Sequence, residues 1–154
     1  MINSAIGYIE KGYGVASGRS NDGRFPNGTI SMQMPFFAQE GLDLSVFFRG
    51  TLNISFPNHS YQLGNAQYFF PQIKWSQDLP PENFSFYSCS IKVPPLDESY
   101  IALIYWPHPS TKPGFHQDPN ILEILAPEIN GLSCGDEIKV FADLESVRFL
   151  SRFT

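Results

Sequence analysis

Apolar and polar residues alternate along much of the chain, and a period of two puts successive side chains on opposite faces of a strand. In FYSCSIKV, Tyr87, Cys89, Ile91 and Val93 fall on one side and Ser88, Ser90 and Lys92 on the other. GTISMQM repeats the pattern, with Ile30, Met32 and Met34 alternating with Thr29, Ser31 and Gln33. Both read as half-buried strands. Further strands are expected over residues 6–17, 45–56, 61–75, 100–106, 120–126 and 137–142, separated by turn-rich pieces such as SFPNHS and QDLPPEN. About eight strands is the number from which small barrels and sandwiches are built. PFFAQEGLDL is a candidate short helix, and the tail DLESVRFLSRF suits helix and strand equally.

Composition strengthens the β reading. The 154 residues include 13 prolines and 12 glycines, which interrupt almost every window long enough for a helix. Fourteen Phe and seven Tyr suit a pleated, half-buried surface. The length fits one domain, residues 1–154, with one sizeable core. A net charge of −5, without any run of Lys or Arg, argues against nucleic acid or an anionic membrane as partner. The opening MINSAIGYIEKGYGV has no basic segment leading into an apolar stretch, and no segment has the apolar length of a membrane span, so a cytoplasmic protein is expected. Cys89 and Cys134, 45 positions apart, form neither a metal spacing nor a disulfide framework.

Common catalytic signatures are missing: there is no G-x-S-x-G, H-E-x-x-H, paired C-x-x-C or Walker A loop. Three histidines spaced 49 and 8 apart give no ligand pattern. Residues 107–119 carry four prolines with His108 and His116, either a functional loop or a proline-stiffened connection.

Three patches remain. GYGVASGRSNDGRF runs from a strand-like start into a loop with Gly18 and Gly23, which suits either backbone N–H groups cradling phosphate or a plain turn. RGTLNISF puts Thr51, Asn53 and Ser55 on one face and Leu52, Ile54 and Phe56 on the other. A hydroxyl and an amide carbonyl are hard oxygen ligands for Mg²⁺, provided a nucleotide supplies negative charge; the other reading is a face turned to solvent. In NILEILAPEINGLSCGDEIKVF, Glu123 interrupts an apolar run, where a carboxylate needs a partner, a pocket, or the open side of an edge strand.

In this order the patches resemble the archaeal CTP-dependent riboflavin kinases. That family has a glycine-rich loop after a strand, then G-T-L-N, then E-I-x-A-P and a G-D strand. The matching residues are V-A-S-G and D-G-R-F within 15–25, Gly50-Thr51-Leu52-Asn53, Glu123-Ile124-Leu125-Ala126-Pro127 and Gly135-Asp136-Glu137-Ile138. The resemblance implies a mainly β fold, a small closed six-stranded cradle-loop barrel of the RIFT type with extra strands and at most short helices. It implies Mg²⁺ on Thr51 and Asn53, and phosphates held by Gly18, Asp22, Gly23, Arg24 and Phe25. Glu123 and Thr111 would contact the flavin, and Glu128, Ile129, Asn130 and Gly131 would hold the cytidine nucleotide. The γ-phosphoryl of CTP or another nucleoside triphosphate would pass to riboflavin, giving FMN, with Glu123 and Asp22 the candidate catalytic carboxylates. The alternative is a non-catalytic β-barrel module binding a flavin, a nucleotide or, given Trp75, Trp106 and the tyrosines, a sugar.

Overall fold

Glu82–Lys92 forms the longest strand, β5, and the other strands are arranged around it in this computed structural model, which describes residues 1–10, 29–111 and 120–152. The first half of β5 is buried on both faces, with Phe84 and Phe86 on one side and Ser85 and Tyr87 on the other; in the second half Cys89 and Ile91 are buried while Ser88 is exposed. Two separate layers therefore pack against this strand.

The fold is mainly β. Its strands are β1 (Ile2–Glu10), β2 (Leu52–Ser55), β3 (His59–Leu63), β4 (Tyr68–Ile73), β5, β6 (Ser99–Pro107), β7 (Ile121–Leu125), β8 (Glu137–Asp143) and β9 (Val147–Ser151). Six of them are hydrogen-bonded in the order β5-β6-β7-β2-β1-β8, and β8 returns to β5 through Ser90, Ile91 and Lys92, so the pairing closes into an antiparallel ring. Strand β4 pairs only with the first part of β5. Inside the ring, Ile9, Ile54, Phe56, Ile91, Ile104, Leu122, Ile124, Ile138 and Val140 form one core. Gly7 lets β1 lie close to β2: a Cβ there would collide with Ile54 and stand 2.7 Å from the Ser55 carbonyl oxygen.

The β3–β9 ribbon covers this core with Val147, Tyr61, Leu63 and Phe149. Asn3 fastens it. Its Nδ2 donates to the carbonyls of Ala142 and Val147, each at 2.9 Å, and its Oδ1 accepts from the Phe149 amide at 2.7 Å.

Residues 29–34, expected as a strand, belong instead to helix α1 (Thr29–Gln39). The alternation of Ile30, Met32 and Met34 is incidental. The residues fully withdrawn from water are Ile30, Gln33 and Phe37, at helical spacing, and they face a second core of Phe70, Phe84, Phe86, Leu103 and Leu125 on the outside of the ring. Phe37 meets Phe84 and Phe86 edge-on, both at 5.0 Å between ring centres. The helix contains Pro35, which removes one N–H donor. It ends at Gly41, whose φ of +100° a side chain would strain. There the Leu42 amide bonds to the Phe37 carbonyl at 2.9 Å and the Gly41 amide to Ala38 at 3.1 Å, a Schellman motif that buries Leu42 beside Phe37.

Other boundaries also differ from expectation. Only Pro35–Gln39 of PFFAQEGLDL is helical, and of residues 45–56 only β2 is strand. The span 61–75 divides into the end of β3 and β4, and the tail resolves as β9 after a turn. No helix among the described residues is long and apolar enough to cross a membrane.

Candidate functional site

The backbone leading into β2 is anchored where the Phe48 amide donates to the Ala126 carbonyl at 2.9 Å. From there Leu52, Ile54 and Phe56 enter the ring core, and Thr51, Asn53 and Ser55 take the opposite face. Neighbouring β7 follows the same rule, with Leu122 and Ile124 inward and Glu123 outward.

Register then assembles the site. Asn53 lies directly opposite Glu123 on β7 and Glu10 on β1, and Glu123 lies opposite Tyr105 on β6. Glu10, Asn53, Glu123 and Tyr105 thus form one row across four strands, with neighbouring Cβ atoms about 5 Å apart. Thr51 adds a hydroxyl from the next position along β2's polar face. It is fully buried, and its Oγ1 donates to Glu123 Oε1 at 3.1 Å. The solvent-facing reading of Thr51 is therefore replaced by a buried, carboxylate-bound hydroxyl. The edge-strand reading of Glu123 fails too, because β7 lies between β6 and β2.

Asn53 Oδ1 is buried and has no hydrogen-bond partner among the described residues. Leaving such an oxygen unmatched costs about 1–3 kcal/mol. An amide oxygen without a donor, beside a hydroxyl and a carboxylate, suits a hard cation. The fit is with an ion that relies on phosphate for much of its charge, since no three His, Cys, Asp or Glu side chains converge among the described residues.

Tyr105 ties this row to the helix. Its hydroxyl donates to Gln33 Oε1 at 2.7 Å within the outer core. Burial, followed by the negative charges of Glu123 and Glu82, holds its phenol well above the usual value, so it stays a neutral donor. Neither Tyr105 nor Gln33 was singled out from sequence. The available signal was parity: Tyr105 shares a strand face with Leu103, and the register that brings it to Glu123 is a tertiary fact.

Beside Thr51, a cleft of about 200 Å³ opens between Phe48, Gly50 and Leu52 on one side and residues 126–132 on the other. Glu128, Ile129, Asn130 and Gly131 all line it. The four expected nucleotide residues thus line a cleft whose opposite wall includes Gly50 and Leu52, the chain neighbours of Thr51, while Thr51, Asn53 and Glu123 are not among its lining residues. Thr111 closes the short 3₁₀ turn Pro109–Thr111 after β6, and its side chain lies outside the described residues. Gly18, Asp22, Gly23, Arg24 and Phe25 also lie outside them.

His108, also from the proline-rich segment, sits away from this row. Its Nε2 is 2.7 Å from Ser85 Oγ and its ring packs on Phe69, while burial lowers its pKa. Trp75 is buried and donates from Nε1 to Glu82 at 2.7 Å, and Trp106 packs edge-on to Tyr61 at 6.3 Å between ring centres. Trp75 is therefore a core residue rather than an exposed sugar platform.

No protein-family model matches the chain, and no curated protein matches it significantly.

Proposed function

We propose that the protein is a riboflavin-kinase-like phosphotransferase built on a cradle-loop barrel, passing the γ-phosphoryl of CTP or another nucleoside triphosphate to riboflavin to form FMN. The observation that carries this reading is the convergence of the Thr51 hydroxyl, the unpartnered Asn53 carbonyl oxygen and the Glu123 carboxylate beside the cleft of Gly50 and Glu128–Gly131. The closed six-strand ring supports the barrel.

In this reading Thr51 and Asn53 hold Mg²⁺, which when bound offsets the charge of the nucleotide phosphates. The cleft orients the nucleotide along residues 128–131. The riboflavin 5′-oxygen forms a bond to the γ-phosphorus, the bond to the β,γ-bridging oxygen breaks, and the nucleoside diphosphate leaves. The hydroxyl proton passes to the Glu123 carboxylate, which Thr51 orients through its hydrogen bond. Asp22 is the second carboxylate of this scheme. Catalysis of this kind depends mostly on positioning, so a site with few ionisable groups suffices.

The test is incubation with riboflavin, Mg²⁺ and CTP, ATP or GTP in turn, with chromatography for FMN. Formation of FMN with at least one donor is expected; its absence with all three overturns the kinase reading.

One observation favours a second reading, a non-catalytic barrel that binds a small ligand. The described residues lining the cleft include the Glu128 carboxylate and no Lys or Arg, a poor complement to a triphosphate. Riboflavin binding without turnover would identify that case.

A further inference from the structure

A second cleft opens at the other end of β2. Ser55, Phe56 and Ile121 line it together with Glu10 from the end of β1, Asn120 and Arg152, around a volume of about 340 Å³. Parity puts Ser55 on the face of Thr51 and Asn53, and register sets it opposite Tyr8 and Ile121. The polar side of β2 therefore runs from Thr51, past Asn53 and Glu123, to Ser55 in the second cleft. At about 3.3 Å per residue, Thr51 and Ser55 are about 13 Å apart.

We propose that the second cleft binds the acceptor alcohol through a polyhydroxylated chain. This rests on the kinase reading and extends it to the acceptor.

Position is the first reason. Phosphoryl transfer needs the attacking and leaving oxygens roughly in line, on opposite sides of the transferred group. With the nucleotide in the cleft of residues 128–131 at the Gly50–Leu52 end of β2, the acceptor approaches from the Ser55 end, where the second cleft lies.

Lining chemistry is the second. Ser55 Oγ donates to Glu10 Oε1 at 2.8 Å and lies 3.4 Å from the Tyr8 carbonyl oxygen. Carboxylate and hydroxyl oxygens are well suited to accept from neighbouring hydroxyls of one chain. The Arg152 guanidinium is hydrogen-bonded to Asn120 Oδ1, which fixes a fork of N–H donors at the mouth. The half-buried Ile121 provides apolar surface for carbon atoms between the hydroxyls. Among the described lining residues one carboxylate and one guanidinium cancel in charge, which suits a neutral polyol better than a second phosphate.

The test measures equilibrium binding of riboflavin by its own fluorescence, without nucleotide, in the full chain and in Glu10→Gln and Ser55→Ala. Lumiflavin, with the same ring system and no hydroxylated chain, is the control ligand. Glu10 is exposed and Ser55 half-buried, and circular dichroism checks that both variants fold. Expected is about tenfold weaker riboflavin binding in each variant, with lumiflavin binding within twofold of the parent. Riboflavin affinity unchanged in both variants, or an equal loss for the two ligands, overturns the cleft assignment while the FMN assay still decides the kinase reading. A parent protein that binds no riboflavin overturns both. Weakened riboflavin binding with no FMN from any donor upholds the cleft and overturns the kinase.

Discussion

The Thr51 hydroxyl donates a 3.1 Å hydrogen bond to Glu123 Oε1 across 72 residues of sequence, while Asn53, directly opposite Glu123, keeps a buried oxygen without a donor among the described residues. The two neighbours therefore have opposite effects on stability. Thr51→Val preserves shape but removes a hydrogen bond to a carboxylate, worth about 1.5–3 kcal/mol, and lowers stability by that order. Asn53→Leu removes an unmatched oxygen from a half-buried position and leaves stability unchanged or raises it by about 1 kcal/mol. Both changes abolish FMN formation under the kinase reading. Urea titration reads the first pair of effects and the chromatographic assay the second. Marked destabilisation by Asn53→Leu would show that its oxygen has a partner.

Tyr105→Phe leaves Gln33 Oε1 unpaired within the outer core, at a cost of about 1–3 kcal/mol. Pairing it with Gln33→Leu recovers part of that loss, because both polar partners are then gone. A double-mutant cycle by chemical denaturation measures the coupling, and simple additivity would contradict the hydrogen bond as the link between helix and sheet.

Alkaline conditions should weaken the fold through Cys89. Burial pushes its thiol up to about 12, against 9.0 as the ordinary value. Below pH 9 the thiol is protonated in both states. Between pH 9 and 12 unfolding releases its proton, so stability falls as pH rises, by about 4 kcal/mol over the whole window at 1.36 kcal/mol per unit. The buried Tyr87 and Tyr105 phenols, also raised, add to the slope in the same direction. Cys89→Ala should flatten the dependence of the urea midpoint on pH in that range. In the native state a thiol reagent should react with exposed Cys134 and spare Cys89 until denaturant is added.

Asn3→Ala deletes three hydrogen bonds, two that hold β9 against β1 and one that ties β1 to β8. Roughly 1 kcal/mol for each gives a loss on the order of 2–3 kcal/mol. Native-state hydrogen exchange should show the Phe149 amide losing protection before those of β5 and β6. Uniform loss across all strands would mean the ribbon does not open separately.

Sequence made the β strands legible wherever one face met the core and the other met water. Alternation located the second half of β5 and all of β8 closely, because Ser88 and Lys139 contrast with Cys89 and Val140. It misread residues 29–34, where Ile30, Met32 and Met34 imitate a strand and the decisive pattern, Ile30, Gln33 and Phe37, includes a polar residue that only Tyr105 explains. Gly41 was the overlooked signal, since a glycine after FFAQE marks a helix end. At the site, strand parity correctly placed Thr51 and Asn53 on one face. It could not reveal that this face is covered or that Glu123 is their neighbour, because register between strands 70 residues apart is set by packing and turns rather than by local pattern.

The ring also carries a consequence in time. Strand β1 has two partners, β2 about 45 residues onward and β8, whose pairings extend from Ile2–Asp143 to Tyr8–Glu137. On a ribosome, β1 is made well before β8 and must wait for it before its second edge is occupied. Until then Ile2, Ile6 and Tyr8 belong to an unpaired strand edge, the kind of surface that recruits other chains. Refolding should therefore be slow for a chain of this size, and its yield should fall as protein concentration rises.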